Sequence, residues 1–377
     1  MDDFFTCVRV KENAPDVLRR ELKKDGFAAQ SESGSETLLS FLDHDDAARL
    51  AKQGPRKQVI GVCGGVSDGY QPAEKQYEVT RKNLEVLRDF GMPVFVLTKS
   101  DLVLRDLDIL KEIHKQAFAN VTFTITLWDE QTKSIFEPKS ASTYERFEAL
   151  KEVRKAGLLG GVMAVPLIPG IGDTYDNITG LAKEAKQAGA ESIVFGGLTL
   201  KPGRQKEYFL NVVKKHFPDQ YDLLTRIYSK NDKYGRPDHT QKPVSVMIRG
   251  HRVCKEAGIR DRSIRHKMPG EFDSNNRVLG VVLDIVFYQV YALGRPWSKS
   301  RRYHELATTL EQGVGELTRL RKEGVLEESL HVDAEMASAV EDILNRGTCQ
   351  DLEEIETTLI STESGGGQVF TAWDKVN

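Results

Sequence analysis

Apolar and polar positions follow two rhythms along the middle of the chain. Runs rich in β-branched and other apolar residues begin near 58 ("QVIGVCGG"), 93 ("PVFVLTKS"), 121 ("VTFTITLW"), 160 ("GGVMAVPLI") and 191 ("ESIVFGGLTL"). They have the length and composition of strands. Between them apolar residues step by three and four, as on one face of a helix. Tyr77, Thr80, Leu84 and Leu87 do so before Gly91; Phe147, Leu150 and Val153 before Gly157; Ile178, Leu181 and Ala185 before Gly189. A glycine just past each stripe suits the left-handed residue that ends many helices. Strand, helix, strand at intervals of about thirty residues is the βα unit of a parallel sheet. Five such units are visible. Several strands run apolar almost without alternation, as strands covered on both faces do. No Gly-x-Gly-x-x-Gly loop marks the switch point of a doubly wound sheet. The pattern therefore predicts an α/β fold built as a barrel or partial barrel.

The flanks read differently. "FFTCVRV" (4–10) has the makings of a strand, and Asn13 then caps a helix with Pro15 in its first turn and Ala14, Leu18 and Leu22 on one face. "DHDDAARL" (43–50) gathers His44 and three carboxylates. An acidic helix start is preferred there over a metal site, because aspartate suits the positive end of the helix dipole. After about residue 230 only the helical rhythm remains, over 243–257, 277–293, 299–323 and 333–345. The last stretch, "STESGGGQVFTAWDKVN", lacks a period and reads as a loose tail. The expected segmentation is 1–57 (strand, helix and loop), 58–230 (partial barrel), 231–349 (helical extension) and 350–377 (tail).

Composition adds few constraints. The 377 residues are 40% hydrophobic and 29% charged, ordinary globular material, with a net charge of −3. That charge gives no reason to expect nucleic acid or an anionic membrane. Residues 249–267 are locally basic, with Arg249, Arg252, Arg260, Arg262 and Arg265, and read as a solvated helix–loop face. Nucleic acid is only weakly supported there, since no aromatics interleave the charges. The first residues have neither a basic nor an apolar leader region, so they do not read as a signal peptide. Residues 277–294 are interrupted by Arg277, Asp284 and Gln289 and fall short of the roughly 20 apolar residues a bilayer needs. The expected location is cytoplasmic. Cys7, Cys63, Cys254 and Cys349 lie nowhere within ten residues of one another, which excludes zinc-finger and disulfide-framework spacings.

In parallel βα folds the chemistry sits beyond the carboxyl ends of the strands. Gly64 and Gly69 have the spacing of a phosphate-binding loop, but Tyr70 and Gln71 follow where lysine and a hydroxyl are needed. The first strand instead ends in Ser67 and Asp68, the second in Thr98, Lys99 and Ser100. The third carries Thr122, Thr124 and Thr126, then Trp128 and Asp129. The fourth ends in Pro166, Pro169, Gly170 and Asp173, and the fifth in Thr199, Lys201 and Arg204. This mixture suits a zwitterionic or nucleoside ligand. Lys99 would hold a carboxylate, the threonines an amine or ribose, and "VPLIPG" a flat ring. Each residue taken alone is equally an ordinary polar group facing water.

Several stretches together carry a resemblance. "VSDGYQPAE", "VLTKSDLVLRDLDIL", "VTFTITLWDE", "FEP…YERFEALKEVRKAG", "GVMAVPLIPGIGD" and "HFPD" resemble, in order, the radical S-adenosylmethionine proteins of the spore photoproduct lyase-like group. The match runs from about Phe5 to Tyr228, with "VKENAPDVLRREL" resembling the segment after that group's iron–sulfur loop. The resemblance implies a partial (β/α) barrel holding S-adenosylmethionine and a [4Fe–4S] cluster. It implies Ser67 and Asp68 beside the cofactor's amino group and Lys99 at its carboxylate. It places Thr124, usually serine in the family, at the methionine moiety or ribose, and Pro166 in the loop flanking the adenine. The implied reaction is reductive cleavage to a 5′-deoxyadenosyl radical that abstracts a substrate hydrogen.

The departures matter as much. The family's Cys-x3-Cys-x2-Cys loop is absent, as is the first barrel strand, and Cys7 alone cannot hold a cluster. The hydrogen-donor cysteine that spore photoproduct lyase carries next to its counterpart of Ser67 is Val66 here. Three readings follow: an amino-terminally truncated or inactive form of a radical enzyme, a cluster-less protein that binds a ligand or partner, or an unrelated barrel hydrolase or lyase with Lys99 as an amine catalyst. The first two assign no catalytic residue.

Overall fold

The computed structural model describes residues 8–29, 55, 57–62, 67–237 and 246–364. Five parallel strands form one sheet in the order β1 (Ile60–Val62), β2 (Val94–Thr98), β3 (Ala119–Thr124), β4 (Leu159–Leu167) and β5 (Ile193–Gly197). Each pairs with its sequence neighbours, in register Val62 with Val96, Val96 with Val121, Thr124 with Met163 and Met163 with Val194. The order never reverses, unlike that of a doubly wound sheet. All five strands begin within three residues of the positions the apolar runs predict. Their edges are β1 and β5, which do not pair with each other, so the finding is an α/β parallel sheet.

Parallel neighbours need crossovers, and helices supply them. In chain order the helices are α1 (Ala14–Lys24), α2 (Glu74–Tyr77), α3 (Val79–Asp89), α4 (Leu107–Gln116), α5 (Glu130–Phe136), α6 (Thr143–Lys155), α7 (Tyr175–Gln187), α8 (Arg204–His216), α9 (Pro218–Ile227) and α10 (Val246–Ala257). Of these, α1, α3, α4, α6, α7 and α10 bury side chains in the core on one face of the sheet, while α8 and α9 form a separate cluster with Ile168 and Leu200. On that face Val94, Val96, Val121, Phe123, Val162, Ala164, Ile193 and Phe195 are all buried. Leu150 of α6 presses so closely on Gly160 that a Cβ there would lie 2.9 Å from it, and Gly250 of α10 sits against the Phe195 ring, at 2.3 Å from the same imagined atom. The opposite face is less covered. Phe95, Leu97, Met163, Val165 and Val194 are each only half-buried. The near-continuous apolar strands therefore conceal an inequality between faces that composition does not register.

The described part of the 1–57 segment packs into the sheet's own core. Leu22 and Ala29 are buried there, with Leu18 and Phe27 against them. Asn13 precedes α1 but makes no capping bond with its side chain, and residues 8–10 form no strand; residues 1–7 and the 43–50 acidic cluster lie outside the described residues. Likewise Val253, Cys254 and Ile259 belong to the sheet's core, which extends past residue 231.

A second core gathers the later helices: α11 (Asp273–Phe287), continued by a π-helical turn Tyr288–Ala292, then α12 (Arg301–Gln312), α13 (Leu317–Glu323), α14 (Leu326–Leu330), α15 (Ala334–Arg346) and α16 (Gln350–Ser364). Two expectations need correcting. The single span 299–323 is broken, because Gly313 adopts φ 92° and ends α12. The stretch 350–364, expected to be the start of a loose tail, is a helix, because Leu352, Ile355 and Leu359 step by three and four and bury into the second core. No helix among the described residues is long and apolar enough to cross a membrane.

The basic run 249–267 is not a solvated face. Arg249 and Arg262 are buried. Arg262 pairs with Asp261 at 2.9 Å and Asp284 at 2.8 Å, Arg260 with Asp284 at 2.8 Å, and Arg265 with Glu271 at 2.7 Å. Asp261 also accepts from the Tyr288 hydroxyl at 2.7 Å and lies 3.0 Å from the His251 ring. Because the Ile193 N–H donates to the Arg260 carbonyl, this network bolts α11 to the edge of β5. The arginines that suggested a nucleic-acid surface are largely spent inside the molecule.

Candidate functional site at the carboxyl edge of the sheet

The loop after β1 is tied to the tip of β2 by one carboxylate. Asp68 accepts from the Thr98 hydroxyl on both oxygens (2.8 and 2.9 Å), from the Lys99 N–H at 2.7 Å and from the Tyr70 N–H at 2.9 Å. Three donors, one of them a hydroxyl shared between both oxygens, thus hold the carboxylate in place. Buried Glu74 braces the same loop from behind, accepting from the N–H groups of Thr80 (3.0 Å) and Arg81 (3.2 Å) and from Arg105 (2.8 Å). Thr80 in turn donates its hydroxyl to the Gly69 carbonyl at 2.6 Å.

Lys99 points to the less covered side of the sheet and ion-pairs with Glu137 at 2.6 Å. Glu137 follows α5, and its other oxygen accepts from Arg146 at 2.7 Å and from the Ser140 hydroxyl at 3.3 Å. Arg146 projects from the first turn of α6 and is 1% exposed. It also donates to the carbonyls of Thr124 (2.7 Å) and Ala141 (3.0 Å). Burial pushes the Glu137 carboxyl up, but the adjacent charges of Lys99 and Arg146 outweigh it and hold the group below its ordinary 4.5.

The fourth strand contributes shape. Pro166 is exposed on β4, three residues beyond Met163, the register partner of Thr124. The following turn uses Gly170 at φ 75°, a conformation that favours glycine. Its N–H donates to Asp173 at 2.7 Å, and burial pushes the Asp173 carboxyl up. Buried Asn177 then stitches this turn to β3, donating to the carbonyls of Thr126 and Gly172 and accepting from the Trp128 N–H.

The sequence-predicted residues thus meet one edge. Asp68, Lys99 and Thr124 are joined through a continuous network, Thr124 by its carbonyl. Ser67 is exposed beside Asp68, and Pro166 stands one strand from Thr124. Two residues central to that network, Glu137 and Arg146, carry no predicted role. A signal for Arg146 exists: Thr143, Arg146, Phe147 and Leu150 share the three–four step, which puts an arginine on the buried stripe of α6.

The donor set at this edge suits one of the two groups the resemblance implies. An ammonium, a fixed carboxylate and half-buried apolar side chains at Leu97, Met163 and Val165 fit a charged amino-acid nucleoside. Among the described residues nothing fits an iron–sulfur cluster. Cys254 and Cys349 are both buried, and burial pushes both thiols up, away from the thiolate an iron needs. Among the described residues no group of three histidine, cysteine or acidic side chains could hold a metal ion.

No family model matches the chain. Over 189 residues it is 30% identical to an uncharacterised protein of Methanocaldococcus jannaschii, spanning 50% of this chain and 68% of that one. The chain belongs to the family of this archaeal protein. It is also 25% identical over 228 residues to an uncharacterised protein of Mycobacterium tuberculosis, of which it spans 58%. A more distant relative, 19% identical over 176 residues and matched over 47% of this chain and 36% of its own length, is a radical SAM Nα-GlyT isomerase of Pseudomonas phage M6. Among solved structures, a spore photoproduct lyase mutant with bound S-adenosylmethionine matches at a TM-score of 0.33 and 19% identity, over 49% of this chain and 55% of that one. A radical S-adenosylmethionine methyltransferase from Kitasatospora setae matches at 0.35 and 12%, over 71% and 55%.

Proposed function

We propose that the carboxyl edge of this sheet binds S-adenosylmethionine, in a partial barrel of the radical S-adenosylmethionine type, and that the described residues do not themselves ligate the iron–sulfur cluster. The observation that carries the reading is the Asp68–Lys99–Glu137–Arg146 network, which sets a partly exposed ammonium and a locked carboxylate beside the less covered face of a parallel sheet. The distant isomerase relative and the motifs between Val66 and Asp219 support it. When bound in such a fold, S-adenosylmethionine supplies an adenosyl group for radical chemistry. This chain's part is to bind and orient it: Asp68 holds the loop after β1 against β2, Lys99 offers positive charge, and the Pro166–Asp173 turn walls one side. The reacting partner, and any cluster, are outside what these residues supply.

Calorimetric titration of the folded chain tests this. S-adenosylmethionine is expected to bind saturably, and Lys99→Ala to weaken it about tenfold, the worth of one charge-assisted contact. Absence of any saturable binding up to roughly millimolar ligand, the floor of useful affinity, would overturn the reading.

A further inference from the structure

The amino ends of β1, β2 and β3, opposite the edge described above, open onto a cavity of about 570 Å³. That lies within the roughly 300–1,000 Å³ of small-molecule sites. Its floor is the less covered face of the sheet, where Phe95 and Asn120 are register partners on β2 and β3 and both half-buried. Its roof comes from the helical half, from residues 263–268 and from Thr308 and Glu311 of α12. Phe95, Leu97 and Lys99 alternate onto one face, so about 13 Å of strand separates Phe95 from Lys99. The walls are mostly apolar: Val59, Phe118, Ile264 and Met268 join Phe95 there.

One charge in these walls lacks a counter-charge. Arg265 is held by both oxygens of Glu271 at 2.7 Å each, and His266 lies 3.4 Å from Glu191. Glu311 stands exposed on the roof, where water serves it. Half-buried Lys57 makes no ion pair among the described residues. Its ammonium donates to the Gly91 carbonyl at 2.9 Å, and burial pushes it below its ordinary 10.5. An ammonium has further donors to offer. Asn120 accepts from the Thr122 hydroxyl at 2.8 Å, which leaves its amide N–H groups without a partner among the described residues.

We propose that this cavity binds a small aromatic carboxylate, its ring on Phe95 and its carboxylate taken by Lys57 and the Asn120 amide. A flat ring gains most from an open aromatic floor. The carboxylate supplies the charge that Lys57 lacks, and a half-buried charge gains more from a partner than a solvated one does. A neutral ring forgoes that gain, and an aliphatic acid forgoes the floor. Because floor and roof belong to two cores, the ligand also ties the helical half to the sheet. Neither Asp68 nor Lys99 takes part, so the site stands whatever the carboxyl edge binds.

The probes are 1-naphthoate and its neutral analogue 1-naphthalenemethanol, titrated calorimetrically into the full chain. Wild type is expected to bind the acid saturably and about tenfold tighter than the alcohol, the worth of one charge-assisted contact. Lys57→Met is expected to bring the acid down to the level of the alcohol and leave the alcohol unchanged, whereas Phe95→Ala weakens both. Naphthoate binding indifferent to both replacements overturns the proposal. So does equal binding of acid and alcohol to wild type, or no saturable naphthoate binding up to roughly millimolar, and neither result needs a variant. Competition between naphthoate and S-adenosylmethionine would put the acid at the carboxyl edge and overturn it as well. Failure of S-adenosylmethionine alone to bind removes the adenosyl reading and leaves this one standing.

Discussion

Replacing Arg146 with methionine will lower the melting temperature by roughly 10 °C. The side chain is 1% exposed and satisfies four groups: the Glu137 carboxylate, the Ser140 hydroxyl and the carbonyls of Thr124 and Ala141. Removing one member of a buried ion pair costs about 3–5 kcal/mol, since the survivor keeps its desolvation penalty. In a chain of this size each kcal/mol moves the midpoint by about 2–4 °C. Acid should expose the same coupling. Glu137 titrates below 4.5 in the folded chain, so its contribution is present above that pH and is lost as pH falls through the lowered value. In Arg146→Met that contribution shrinks, so the variant should lose less stability than wild type as pH falls below the ordinary glutamate range. Thermal melts from pH 7 to 3 read both effects. Arg146→Lys, which keeps the charge but not the planar fork, should fall between. A methionine variant that melts within about 2 °C of wild type, less than 1 kcal/mol on the same scale, would show that the network is not holding the site.

Asp284→Ala will destabilise the chain by a similar amount, about 3–5 kcal/mol, through a different part of the molecule. Asp284 is 7% exposed and serves two arginines, Arg260 and Arg262, at 2.8 Å each. Losing it leaves the buried Arg262 with Asp261 as its near partner and loosens α11 from the β5 edge. The double replacement Arg262→Met with Asp284→Leu removes both charges and should cost much less, because well-packed apolar pairs often match buried ion pairs. Melting temperatures of the three proteins decide it; a double variant as unstable as the single one would mean that packing, not stranded charge, dominates. S-adenosylmethionine binding should be little changed in either, since these residues lie outside the strand-tip network.

How much of this was legible from residues alone follows from range. The strands and their helices were, because each is written in a local period: β2 through β5 start within three residues of their apolar runs. The edge where Asp68 and Lys99 meet was also legible, since parallel strands must end together. Glu137 was not. It follows a short helix in "SIFEPKS" and has no period to mark it, and its partners are 38 residues upstream at Lys99 and 9 downstream at Arg146. The basic run 249–267 misled for the same reason. Its counter-charges at Asp284 and Glu271 come later in the chain, and composition counts charges without pairing them. The helix Gln350–Ser364 carries a clear step at Leu352, Ile355 and Leu359, but the glycine-rich stretch that follows drew the boundary too early.

The dry arginine–aspartate bolt on α11 also sets how the molecule meets brine. Ion pairs on the outer turns, Arg301 with Glu305 and Arg346 with Asp342, stand in solvent, where counterions at about 1 M shrink the reach of a charge to roughly 3 Å. The Arg262–Asp284 pair, buried on both sides, has little room for such counterions. Concentrated salt should therefore loosen the periphery of the helical half while its seam with the sheet holds, so that amide exchange speeds up along α12 and α15 and stays slow beside β5.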